Sequence, residues 1–310
     1  VDWSSKKIVI MEIILVAIPI FLIIFFGWLL ARVHIADAVW AHVLNAFAYY
    51  VSLPALVVSA FWVLDFAHPQ TLLIFVRSAS VILLFMFVVL ALLAFLPIKR
   101  PTKAAIFLVA TCGNTIYMGI PIVSGLVGDG AHLIFIASIL LIFPIVFSIG
   151  IVRWWSDSGH SLSFHLLRFL KNPLFISFVV GIGISFVPLV GVWSFVYETL
   201  LILGSTASPV ALCALGIFLY KRFLKRRLSL ALGASFLKLL AFPFFVWLVL
   251  DLAHISFDPA LFLFAAMPAA VTSFVIAEQF KLDATLVGNV VVFSTIFSFI
   301  SIPLVFALYG

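Results

Sequence analysis

Thr111–Gly125, TCGNTIYMGIPIVSG, lies in a segment apolar enough to cross a bilayer, yet Gly113, Asn114, Gly119 and Pro121 occupy its middle. A continuous helix tolerates that combination badly. Pro121 lacks an N–H and clashes with the preceding turn, and each glycine raises the cost of ordering helical backbone. At membrane depth, irregular backbone survives only where it is buried in protein or lines a polar cavity. Ala260–Gln279 repeats the pattern, with Pro268 in MPAAVTS. A shift of 155 residues carries Ala105, Phe107, Leu108 and Ala110 onto Ala260, Phe262, Leu263 and Ala265, Gly113 onto Pro268 and Pro54 onto Pro209. The shift is half the chain length, as expected of a transporter built from two repeats, each with one broken helix near the midplane.

Hydrophobic residues make up 66% of the chain and charged residues 9%, against about 25% charged in a soluble domain. With a mean hydropathy of +1.38, the fold class is an all-α polytopic membrane protein. The net charge of +6 does not point to nucleic acid, because the basic residues sit in short loops between apolar spans. Cys112 and Cys213 both fall inside spans and read as free thiols. Walker A, GxSxG, HExxH and CxxC motifs are absent, and the histidines lack metal-ligand spacing. The chain therefore reads as no enzyme, with no cofactor and no metal.

A span needs about 20 apolar residues. Ten candidates emerge: 8–32, 38–63, 71–96, 104–127, 131–152, 172–192, 195–220, 229–253, 259–280 and 284–309. Lys6 and Lys7 ahead of the first run mimic a signal peptide, but the run is too long for one and reads as a retained helix. Turn signals separate the spans: Asp37, His68-Pro69, Pro97 with Pro101, Gly128-Asp129-Gly130, Asn172-Pro173, Asp258-Pro259 and Asp283. Trp28, Trp40, Trp62, Trp154, Trp155 and Trp193 fall near span ends, as an interfacial aromatic belt requires. Loops after odd-numbered spans hold thirteen Lys and Arg, and the opposite side holds only Lys6 and Lys7. The odd loops are then cytoplasmic and both termini extracytoplasmic. Five spans per half is an odd number, so the second half enters the membrane upside down. Residues 1–155 form the first five-helix repeat, 156–171 a cytoplasmic connecting loop, and 172–310 the second, inverted repeat.

The breaks in spans 4 and 9 carry the candidate binding residues. Proline favours the first position of a helix, so Pro121 is expected to open the second half of span 4, and Pro268 that of span 9. A half-helix N-terminus offers free N–H groups and partial positive charge, a good seat for an anion. The plain alternative is that both prolines only kink their helices. Asn114 has an amide suited to a substrate carboxylate; the alternative is an interhelical hydrogen bond of about 1 kcal/mol. Gly113, Gly119, Thr111, Tyr117, Thr272 and Ser273 flank the same region, each with a packing or backbone-bonding role as the alternative. Asn289, Ser294 and Thr295 in span 10 face the same choice, with packing preferred for the last two.

Glu12, Asp65, Arg77, Glu198 and Asp251 lie near predicted outer boundaries, and Arg77 reads as snorkelling to the interface. Lys238 differs. It lies nine residues into span 8 from Ser229, about 14 Å along a helix rising 1.5 Å per residue, near the centre of a hydrocarbon core about 30 Å thick. A lysine facing lipid there costs at least about 2.5–3.5 kcal/mol on insertion scales. With no acidic residue at its depth, Lys238 reads as uncharged, or as charged and facing a polar cavity that an anion visits; snorkelling is the alternative.

GNTIYMGIPIVSGLVGDGA, STASPVALCALGIFL, LKLLAFP and AAMPAAVTSFVIAEQFKLDATLVGNVVVFSTIFS together resemble the auxin efflux carrier family of membrane transporters across nearly the whole chain. The resemblance implies ten helices with crossover helices 4 and 9, a scaffold of helices 1, 2, 6 and 7, and elevator-like movement of helices 3–5 and 8–10. It implies an organic anion as substrate, auxin in plants and dicarboxylates such as malate or malonate in bacteria. Asn114, Pro121 and Pro268 match the crossover residues. The short central loop is similar to that of bacterial members, which implies a cytoplasmic (inner) membrane location. The partners are then the lipid bilayer and a small organic anion; proton or sodium coupling and a homodimeric state are left open by the residues. A bile-acid-type sodium symporter is the alternative within transport, but its polar and acidic sodium cluster is not found. A non-transporting membrane ligand sensor is the alternative from another class. A sensor is expected to carry a signalling domain, whereas this sequence runs to Gly310 directly after span 10.

Overall fold

In the computed structural model, which describes residues 3–128, 130–155, 170–188, 192–220 and 227–309, the polar turn signals become helix caps. Asp37 Oδ1 accepts from the N–H groups of Val39 and Trp40 at 2.9 and 3.1 Å. His68 Nδ1 accepts from Gln70 N–H, Asn172 Oδ1 from Leu174 N–H, Asp258 Oδ1 from Leu261 N–H and Asp283 Oδ1 from Leu286 N–H. Each cap satisfies an amide with no partner inside its helix, an effect of about 0.5–2 kcal/mol. Pro69, Pro101, Pro173 and Pro259 occupy first-turn positions, where a missing N–H costs nothing.

The helices so delimited are α1 (Trp3–Arg32), α2 (Ala38–Trp62), α3 (Pro69–Phe95), α4 (Arg100–Thr111), α5 (Thr115–Val127) and α6 (Ala131–Trp155). They continue as α7 (Pro173–Ile184), α8 (Trp193–Leu219), α9 (Leu228–Leu252), α10 (Pro259–Ala265), α11 (Thr272–Gln279) and α12 (Ala284–Tyr309). Among the described residues seven helices, α1, α2, α3, α6, α8, α9 and α12, are long and apolar enough to cross a membrane. Predicted spans 4 and 9 are each interrupted, as α4/α5 and α10/α11. Predicted span 6 is shortened to the twelve residues of α7, because Gly181, Gly183 and then Pro188 leave little to prolong it. Residues 156–169 of the connecting loop predicted at 156–171, all of the predicted basic cluster but Arg227 (Lys221, Arg222, Lys225 and Arg226), and Asp129 lie outside the described residues.

Three helices widen into a π-turn just before a proline: Ala48–Ser52 ahead of Pro54, Thr115–Gly119 ahead of Pro121, and Leu237–Ala241 ahead of Pro243. Proline cannot donate to the preceding turn and its ring clashes with the carbonyl four residues back. One extra residue in the turn relieves that clash while the helix continues. Two of these turns contain or adjoin Asn114 and Lys238.

Helices α1, α2, α7 and α8 pack on one another through small residues. A Cβ on Gly27 would overlap the Cys213 carbonyl, and one on Gly216 the Ile24 carbonyl, so α1 and α8 touch backbone to backbone. Gly204 of α8 admits Leu56 of α2, and Gly181 of α7 admits Phe61 of α2. Without a hydrophobic force between helices in lipid, such close approach is what holds them. Trp62, expected in the interfacial belt, is instead buried in this group, and its Nε1–H donates to Val187 O at 2.8 Å. The remaining helices pack α3 on α6 and α9 on α12, with Phe85 of α3 stacked on Phe242 of α9 at 4.2 Å between centroids. Gly216→Val should cost at least about 3 kcal/mol, the upper end of ordinary overpacking, read as a lower thermal midpoint in detergent. Gly233→Ala, whose Cβ meets nothing within 4 Å, should leave the midpoint unchanged or raise it.

Candidate functional site at the paired helix breaks

The break between α4 and α5 and the break between α10 and α11 meet in the protein interior. Asn114 N–H donates to Pro268 O at 2.7 Å, and Ala270 N–H donates to Cys112 O at 3.1 Å. Gly113 and Ala269 thereby face each other as an antiparallel bridge. The groups freed by the breaks find other partners too: Ala269 N–H donates to Ser294 Oγ of α12 at 3.1 Å, and Ala265 O accepts from Lys238 Nζ of α9 at 2.9 Å. Six of the backbone groups around the breaks are thus satisfied from within the protein, as membrane depth demands.

Pro121 stands in the first turn of the regular α-helix Ile120–Val127, as expected, but a π-turn precedes it; Pro268 does not open its half-helix. α5 begins at Thr115, with Gly119 N–H bonded to Asn114 O, and Pro121 follows that first turn as the second residue of its regular part. Pro268 lies within the break itself, where its carbonyl serves Asn114, and α11 begins at Thr272.

A cavity of about 10 Å³ lies at the resumed ends, lined by Gly113, Asn114, Thr115, Ile116, Tyr117, Ala270, Val271 and Thr272, with Leu53 of α2 and Leu141 of α6 closing it. This volume is the size of a single water molecule. Asn114 is 3% exposed, and its side-chain amide makes no hydrogen bond to a described residue. Thr272 Oγ1 is buried and likewise without a partner among the described residues. The amides of residues 115–118 precede the first helical bond of α5, so its positive end also faces the cavity.

Of the residues singled out by sequence, Gly113, Asn114, Tyr117 and Thr272 come together on this cavity. The others do not line it. Thr111 Oγ1 donates back to Phe107 O at 2.8 Å within α4. Gly119 is a packing position, where a Cβ would lie 2.9 Å from Phe264. Ser273 is buried beside Cys112, and Asn289 is buried in α12. Lys238 lies behind the breaks, fully buried. Thr115 was missed; it lines the cavity and its hydroxyl donates to Ala137 O of α6 at 2.9 Å. Its place beside Asn114 was the only sequence signal.

Arg77 does not simply snorkel. Its guanidinium pairs with Asp258, the residue that caps α10. The short helix α10 is therefore held at its N-terminal end from α3 and at its C-terminal end, through Lys238, from α9. Glu12, Asp65, Glu198, Asp251 and Glu278 are exposed, in keeping with positions near the boundaries. Ser294→Ala should leave the Ala269 N–H buried and unsatisfied, costing about 1–3 kcal/mol in a denaturation experiment. Ser298→Ala should cost much less, since its hydroxyl only returns to Thr295 O of its own helix.

A family profile described as membrane transport protein matches residues 12–156 and 158–306. The mouse (Mus musculus) lysosomal cholesterol signaling protein is 25% identical over 313 residues, covering 92% of this chain and 36% of that protein. An uncharacterized transporter from Methanothermobacter thermautotrophicus is 28% identical over 204 residues, covering 62% of this chain and 63% of that protein. The chain thus spans less than two thirds of the length of each of these relatives.

Proposed function

This chain belongs to the membrane transport protein family, and we propose that it is a secondary transporter moving a small organic carboxylate, held at the paired breaks. The observation that carries this reading is the convergence of two half-helix N-termini, the Asn114 amide and the Thr272 hydroxyl on one small buried cavity. Amides ahead of the first helical bond and a partial positive charge favour an anion by about 0.3–1 kcal/mol per terminus, up to about 2 when partly buried. Asn114 adds two donors suited to one carboxylate. A cavity the size of a water molecule corresponds to a closed state, so loading requires the elements around it to shift.

The proposed movement is of the elevator kind. α1, α2, α7 and α8 form the scaffold, and α3–α6 with α9–α12 form the carrying bundle. The reading is supported by the cavity wall: every lining residue but Leu53 comes from the bundle side. Glycine-mediated contacts among the scaffold helices favour a rigid frame. In this reading the chain crosses the cytoplasmic membrane ten times, as inverted repeats over 1–155 and 172–310 joined by 156–171. The thirteen-to-two asymmetry of basic residues favours both termini outside.

A sodium symporter is disfavoured, because carbonyls freed at the breaks are already engaged: Ala265 O by Lys238, Pro268 O by Asn114 and Cys112 O by Ala270. A membrane ligand sensor is the second reading, favoured by the similarity to the mouse lysosomal cholesterol signaling protein. Counterflow of radiolabelled malate and malonate in proteoliposomes separates the two, since a sensor exchanges nothing. Asn114→Ala should weaken the half-saturating concentration about tenfold or more, as loss of hydrogen bonds to a charged group requires, with an unchanged folded yield. Native affinity in that variant would remove Asn114 from the site.

A further inference from the structure

Lys238 is the one fully buried basic side chain among the described residues, and the proposed anion cavity does not use it. Its side chain is 0% exposed and ends where α4 and α10 both stop. Its Nζ donates to Ala265 O at 2.9 Å and lies 4.6 Å from the centroid of the Phe242 ring. Gly113 closes a third side, where a Cβ would sit 3.1 Å from Nζ. The Cys112 thiol is within electrostatic reach, and the hydroxyls of Ser148 and Ser273 surround that thiol. Both hydroxyl oxygens are buried, and neither has a partner of its own among the described residues. No carboxylate among the described residues pairs with Lys238.

A freed carbonyl, an aromatic face and two helix C-termini with partial negative charge make the surroundings of a dehydrated monovalent cation. Lys238 supplies that cation on a tether from α9. We propose that Lys238 is a built-in cation, whose ammonium fills a monovalent-cation site at the C-terminal ends of α4 and α10. It thereby holds the paired breaks together without an inorganic ion. A Cβ on Gly113 would crowd the Lys238 side chain, at 3.1 Å from Nζ and 3.3 Å from Cε. Uptake by the unmodified protein then needs no added metal cation at this site, and removal of the ammonium opens a site that a small cation can enter. The proposal depends on the transport reading only for its uptake readout.

The test is thermal unfolding of the purified full chain in detergent, in chloride salts of N-methyl-D-glucamine, sodium, ammonium or methylammonium. The unmodified protein should show one midpoint in all four. Lys238→Ala should unfold several degrees lower in N-methyl-D-glucamine and recover saturably with ammonium, methylammonium or sodium. In proteoliposomes its uptake should fall about tenfold to a hundredfold, the weight of one charge-assisted hydrogen bond, and recover with the same cations. Lys238→Met, which keeps the stem and loses the charge, should be destabilised, and Lys238→Arg should be less so. The proposal is overturned if the unmodified protein gains stability saturably from sodium, if Lys238→Met matches its midpoint, or if Lys238→Ala is destabilised yet indifferent to every small cation. Since unfolding needs no substrate, a protein that carries no carboxylate would leave the stability result standing.

Discussion

Two backbone hydrogen bonds, Asn114 N–H to Pro268 O and Ala270 N–H to Cys112 O, are the constraint on which the rest of the structure depends. Breaking a helix at membrane depth exposes amides and carbonyls that lipid cannot satisfy. One broken helix alone would be untenable, whereas two placed back to back satisfy each other. Their pairing also fixes where the ends go: C-terminal ends of α4 and α10 toward Lys238, N-terminal ends of α5 and α11 toward the cavity. A chain with almost no charge in its interior thus acquires one place with a negative field and another with a positive one, from backbone alone.

The helices around the breaks are organised to hold them in register. Thr115 ties α5 to α6, Ser294 ties the second break to α12, and Lys238 ties α10 to α9. The pair Arg77–Asp258 secures the far end of α10, a helix of seven residues too short to be stable unaided. By contrast α1 and α8 meet backbone to backbone through Gly27 and Gly216. Polar bonds gather where backbone is irregular, and close apolar packing serves where it is regular.

Much of this was legible in residue types. The 155-residue shift aligned Gly113 with Pro268, and both lie in the breaks that the structure pairs. Polar turn residues marked the caps, because capping depends on local chemistry. Asn114 and Lys238 stood out because polar groups at that depth are costly. What escaped the sequence depends on partners far along the chain or on backbone atoms. Lys238 meets a carbonyl, which every residue has, so no residue type announces it. Asp258 is 181 positions from Arg77, and the overlap of Gly216 with α1 exists only once the two helices pack. Pro121 kept its preference for a helix start, whereas Pro268 misled, because it lies in the break with its carbonyl taken by Asn114.

The central claim, that the paired breaks hold an anion as one unit, is tested most directly by cryo-electron microscopy of the protein in lipid nanodiscs, with the carboxylate that exchanges fastest. The account predicts density between the Asn114 amide and the first amides of α5 and α11, with the Gly113–Ala269 bridge intact and the lining elements moved apart from Leu53. Continuous helix through either break, a separated bridge, or bound density away from both half-helix ends would contradict it.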